Sequence, residues 1–109
     1  MTPQKIIAVD FDGCLCTNKY PDIGEENEAA ISALLNEQEH GSRIILWTCR
    51  CSRKLDEAVR WCNERGLFFD AVNENLPECI EYYGDDCRKV YATEYWDDRA
   101  YTVKARAKV

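Results

Sequence analysis

Two aspartates two positions apart, Asp10 and Asp12, close an apolar run near the start of the chain. A second acidic pair, Asp97 and Asp98, closes another run near its end. On an extended backbone an i, i+2 spacing turns both side chains to the same face. Four carboxylates gathered on one rim repel each other strongly unless something neutralises them. A divalent cation with oxygen ligands is the natural remedy. Magnesium fits best, because it keeps some waters and accepts a phosphate oxygen as a further ligand. The chemistry open to such a set is phosphoryl transfer. One carboxylate can attack phosphorus and form an aspartyl-phosphate. A second carboxylic acid can protonate the leaving oxygen and then serve as base for the water that releases phosphate. A hydroxyl, backbone N–H groups and a cation can hold the equatorial oxygens. Thr48 and Lys89 are candidates for that last role, with Arg88 and Arg50 as substitutes for the lysine.

The elements that must position these residues are legible as an alternation. Residues 5–11, KIIAVDF, read as a strand buried on both faces, as in a parallel sheet. Residues 12–24 carry Gly13, Pro21 and Gly24 and read as loop. Helical spacing runs over 26–38, with Ala30, Ile31, Leu34 and Leu35 on one face. Residues 43–48, RIILWT, repeat the strand pattern. A second helix is expected over 53–65, where Leu55, Ala58, Val59 and Cys62 fall at i, i+3, i+4 and i+7. A third strand is expected over 67–72. A short helix follows to Tyr83, with Asn75 as its cap and Asn73 as a loop residue. Residues 90–96 read as a fourth strand, and the tail after it could add a fifth. Strands alternating with helices imply right-handed βαβ units and a parallel sheet, with ligands bound beyond the carboxyl ends of the strands. Asp10, Asp12, Thr48, Asn73, Asn75, Asp97 and Asp98 all fall at such ends.

The 109-residue chain is expected to form one domain, residues 1–109, since it has no room for two cores. Its hydrophobic fraction of 46% and scattered charges describe a globular chain. A net charge of −6 gives no basic footprint for nucleic acid. It also means that a site for a phosphorylated substrate must be made locally positive, most simply by a cation. No run approaches the roughly 20 apolar residues that span a bilayer, and no secretory leader is visible, so a cytoplasmic protein is expected. Seven cysteines, odd in number and without a C-x-x-C pair, argue against a disulfide scaffold. Two C-x-C pairs, Cys14/Cys16 and Cys49/Cys51, follow strands expected to be neighbours, which leaves a zinc or redox role open.

These segments resemble the haloacid dehalogenase superfamily of phosphohydrolases. AVDFDGCL resembles its first motif, an apolar strand followed by D-x-D-G. ILWTCR resembles the second, a strand ending in Thr. RKVYATEYWDDR resembles the third and fourth, a Lys that precedes a D-D-R by a short distance, as in the nucleotidase-like branch. The resemblance covers residues 5–99, with the four motifs in order. It implies a three-layer Rossmannoid parallel sheet with a magnesium-dependent phosphomonoesterase site. In that site Asp10 is nucleophile and metal ligand. Asp12 is general acid/base, with its backbone carbonyl on the metal. Thr48 holds the phosphoryl group, Lys89 neutralises charge, and Asp97 and Asp98 hold the metal. The substrate class is a phosphorylated small molecule, with a nucleotide slightly favoured.

Two features depart from the family pattern. A full strand over 90–96 would start Lys89 at the wrong end, roughly 23 Å from the rim at ~3.3 Å per residue. Either the strand is shorter or the segment enters from the active-site side. The intervals between motifs also leave no room for a cap domain. Residues 13–24 could form only a small flap, with Tyr20, Pro21 and Ile23 at its apolar tip. So open a site must take a bulky substrate or borrow a wall from a second copy in a homo-oligomer. The competing reading is non-enzymatic: a receiver-like or inactive phosphate-binding module. Receivers, however, place the acidic pair after the first strand, whereas here it comes last.

Overall fold

The computed structural model describes residues 4–101 and 103. Its centre is a four-stranded parallel sheet in the order β5-β4-β1-β6. The strands are β1 (Ile6–Val9), β4 (Arg43–Leu46), β5 (Ala71–Val72) and β6 (Glu94–Trp96). A separate antiparallel hairpin, β2 (Cys16–Lys19) and β3 (Asp22–Glu26), follows β1. Among the described residues, three helices complete the fold: α1 (Glu28–Glu39), α2 (Ser52–Glu64) and α3 (Pro77–Tyr83).

The apolar runs explain the sheet. All four residues of β1 are buried, because alternate side chains face opposite cores. Ile7 and Val9 join Ile44 and Leu46 against Ile31 and Leu34 of α1 and Ala58 and Cys62 of α2. Ile6, Ala8 and Ile45 join Ala71, Leu76 and Val90 in the opposite cluster, where Cys79 of α3 also packs. Helices thus cover both faces of the sheet. β1 pairs in register with β4 through Val9↔Leu46 and with β6 through Val9↔Trp96. The chain moves outward from β1 to β4 to β5, then returns to the other side of β1 for β6. That reversal makes the carboxyl ends of β1 and β6 a topological switch point, the usual crevice for ligands in such sheets.

Several expectations are corrected. Residues 12–24, expected as loop, contain β2, the turn after it and the first three residues of β3. The hairpin is largely exposed, so it carries none of the apolar alternation that marks a half-buried strand. The third and fourth strands are shorter than expected, because only Ala71–Val72 and Glu94–Trp96 find ladder partners. Asn75 is not the cap of α3. Leu76 occupies that position, with Pro77 at the first turn. Asn75 instead is buried at 4% exposure and organises the loop that precedes β6. Its amide nitrogen donates to Asp86 Oδ1 and Cys87 O, and its oxygen accepts from Tyr91 N at 2.7 Å. A fifth strand from the tail does not form over residues 99–101 or at Val103, and the rest of that expectation lies outside the described residues.

Candidate active site

Asp10 directly follows β1, and its backbone N–H donates to the Trp96 carbonyl at 2.9 Å. That bond extends the β1–β6 ladder by one step and sets Asp10 beside Asp97 and Asp98. The three residues offer carboxylate oxygens that all lie within 4.8 Å of one another. Burial pushes the Asp10 carboxyl up to about 6, and the negative charges of Asp97, Asp98 and Asp12 push the same way. The backbone N–H of Phe11 opposes that rise. Gly13 lets the loop pass close by. Its φ of +86° favours glycine, and a Cβ there would overlap the Asp98 carboxylate.

Asp12 lies in the same cleft but outside the three-carboxylate cluster. Its two oxygens accept from Arg50 Nε and Nη2, each at 2.8 Å. Arg50 is 2% exposed, and its guanidinium also donates to the carbonyls of Asp22 and Pro21 in the hairpin. The Arg50 carbon Cζ lies 5.1 Å from the ring centroids of both Phe11 and Tyr20.

Thr48 follows β4 and opens on the cleft. Its N–H donates to Asn73 Oδ1 at 2.8 Å, and its hydroxyl oxygen accepts from Arg50 N. Asn73 holds a positive φ of 55°, a conformation that Asn tolerates better than most residues. Read from sequence as a loop residue, it fixes the threonine and lines the cleft. Its place just beyond a strand end already put it on that rim in the sequence.

Lys89 is not brought to this cleft. Its Nζ sits 5.5 Å from the Tyr95 ring centroid, in a separate hollow lined also by Tyr83 and Tyr91. The reason is the loop that Asn75 organises, in which neighbouring side chains diverge. Arg88 lines the cleft that holds Asp10 and Asp12, and so does Arg99. Arg88 also pairs with Asp86 at 2.8 Å. The cation nearest the motif is therefore an arginine.

Among the described residues the two C-x-C pairs do not come together as a group of metal ligands. Cys14, Cys16, Cys49 and Cys51 are free. Burial pushes the Cys14 thiol up to about 11 and raises Cys16 as well, so both are held as thiols.

The donor set suits a hard cation. Asp10, Asp97 and Asp98 supply only oxygen, and no nitrogen or sulfur ligand stands with them among the described residues.

No protein-family model matches the chain, and no curated protein matches it. A solved structure does. It is described as the structure of a conserved protein coded by a locus from Bacteroides thetaiotaomicron. It shares 44% sequence identity with a TM-score of 0.80, covering 90% of this chain and 78% of that one.

Proposed function

The chain belongs to the same family as that conserved Bacteroides thetaiotaomicron protein, and we propose that it is a magnesium-dependent phosphomonoesterase of the haloacid dehalogenase type. One observation carries the proposal. Three carboxylates from two adjacent parallel strands meet within 4.8 Å at the switch point of the sheet, with Asp12 and Thr48 in the same cleft. Carboxylates so close repel one another, a divalent cation relieves that repulsion, and phosphate is a ligand that a cation there would recruit.

Each residue then has a task. Bound magnesium would offset the carboxylate charge and polarise a phosphoryl oxygen. Asp10 attacks phosphorus, forming an acyl-phosphate bond as the bond to the leaving oxygen breaks. Asp12 gives a proton to that oxygen and then takes one from the water that hydrolyses the intermediate. To do so, one of its oxygens must leave Arg50 and take up a proton first, which the monoanionic form of the phosphate ester can bring. Thr48 and Arg88 hold the phosphoryl oxygens, the part that Lys89 cannot play from its hollow. The substrate is a phosphorylated small molecule, and a cytoplasmic setting goes with it. Among the described residues no helix is long and apolar enough to cross a membrane.

A non-enzymatic phosphate-binding module is the second reading, and the Arg50–Asp12 pair favours it, because both Asp12 oxygens are engaged. Phosphate release from p-nitrophenyl phosphate, with and without magnesium, separates the two. Metal-dependent release supports the enzyme, and metal-dependent binding without release supports the module.

A further inference from the structure

Away from the carboxylates, the cleft is walled by Tyr20 and Asn18 from the hairpin and by Trp47. Its volume of about 810 Å³ is in the range of small-molecule sites and far exceeds what a phosphoryl group fills. The remaining space must take the rest of the substrate. Tyr20 is 60% exposed and adds little to the core, yet it is held in place. Arg50 lies 5.1 Å from its ring centroid and donates to the backbone carbonyls of the next two residues, Pro21 and Asp22. Arg50 in turn is anchored by Asp12 and covered by Phe11. The hairpin tip is therefore fastened to the catalytic loop. An aromatic ring fastened in advance stacks on a flat partner with little loss of side-chain freedom.

We infer that Tyr20 is the specificity-determining residue of the cleft, and that it selects phosphate monoesters bearing a flat aromatic group by stacking on it. A nucleobase or an aryl ring meets that description, whereas a sugar or amino-alcohol phosphate does not. The selection rests on the phosphomonoesterase reading only for what happens at the phosphoryl end. The stacking itself needs no turnover. In a chain of net charge −6, uncharged stacking also gives affinity that long-range electrostatics withhold from a phosphate ester.

Equilibrium binding to the Asp10→Asn protein tests this, since the ligand then stays intact. Adenosine 5′-monophosphate is compared with ribose 5-phosphate, and O-phosphotyrosine with O-phosphoserine, all in the presence of magnesium. We expect the aromatic member of at least one pair to bind about tenfold tighter, the scale of one base–aromatic stack. Whichever pair shows the gap identifies the aromatic group. Adding Tyr20→Ala should bring that ratio close to one, and Tyr20→Phe should restore it. Ratios near one in both pairs, no detectable binding, or a preference that survives Tyr20→Ala would each overturn the inference. Phosphate release by the wild-type protein is a separate measurement, so loss of the selectivity claim leaves the phosphomonoesterase claim standing, and the converse also holds.

Discussion

Arg50 grips Asp12 through two parallel hydrogen bonds of 2.8 Å, from Nε to Oδ2 and from Nη2 to Oδ1. The arginine is nearly fully buried, and its other donors reach hairpin carbonyls. Removing the guanidinium leaves Asp12 without its partner and the hairpin without its anchor. Breaking a buried pair from one side costs about 3–5 kcal/mol. Because Asp12 still touches solvent, Arg50→Met should lose about 3 kcal/mol or somewhat less in urea unfolding. Arg50→Lys should recover only part of this, since an ammonium cannot make the fork. A loss under about 0.5 kcal/mol, the scale of a neutral surface change, would mean that the pair does not hold the hairpin.

Gly13→Ala should disable the site while sparing the core. A methyl group there overlaps the Asp98 carboxylate, and the positive φ adds strain. Asp98 must move, so the magnesium-induced rise in melting temperature should shrink markedly. A thermal titration identical to that of wild type would show that Asp98 does not need its present position.

The raised Asp10 carboxyl sets a pH dependence. Its folded value, about 6, lies above its ordinary value near 3.8. The folded state therefore binds more protons between these values, and metal-free stability falls as pH rises through that window. Asp10→Asn should flatten this slope. Magnesium must displace any proton on Asp10, so binding near pH 5 should release protons, and binding at pH 8 should release almost none. Calorimetry in buffers of different ionisation enthalpy reads that difference. Equal proton release at both pH values would contradict the placement of Asp10 in the metal site.

Arg88 and Lys89 should differ in their effects despite being neighbours. Arg88→Ala removes a cleft cation and should raise KM or lower kcat about tenfold or more. Lys89→Ala removes a cation–π contact in the other hollow and should leave kinetics within about twofold. Kinetics with p-nitrophenyl phosphate separate them, and the reverse order of effects would restore the lysine to the site.

How much of this was legible in the sequence varies by residue. Asp10, Thr48 and Asp97 were legible because each ends an apolar run, and strand ends at one edge of a parallel sheet are where side chains meet. The hairpin was not, since β2 and β3 bury almost nothing and their pairing leaves no periodic trace. That Arg88 rather than Lys89 lines the cleft depends on how one loop turns. That turn is set by the contacts of Asn75 with Asp86, Cys87 and Tyr91, residues 11 to 16 positions away. The same contacts explain why Asn75 is not a helix cap. Spacing rules reach along an element and do not reach across such a loop. The grip of Arg50 on Asp12, 38 positions away, is likewise a product of tertiary packing.

The central claim is that Asp10 carries the phosphoryl group during turnover. Borohydride reduces an acyl-phosphate on aspartate to homoserine, and peptide mass spectrometry locates the change. During steady hydrolysis of p-nitrophenyl phosphate with magnesium, homoserine should appear at position 10. It should be absent without substrate, without metal, and in Asp10→Asn. Sustained phosphate release with position 10 unmodified, or with the modification at Asp12, Asp97 or Asp98 instead, would contradict the account.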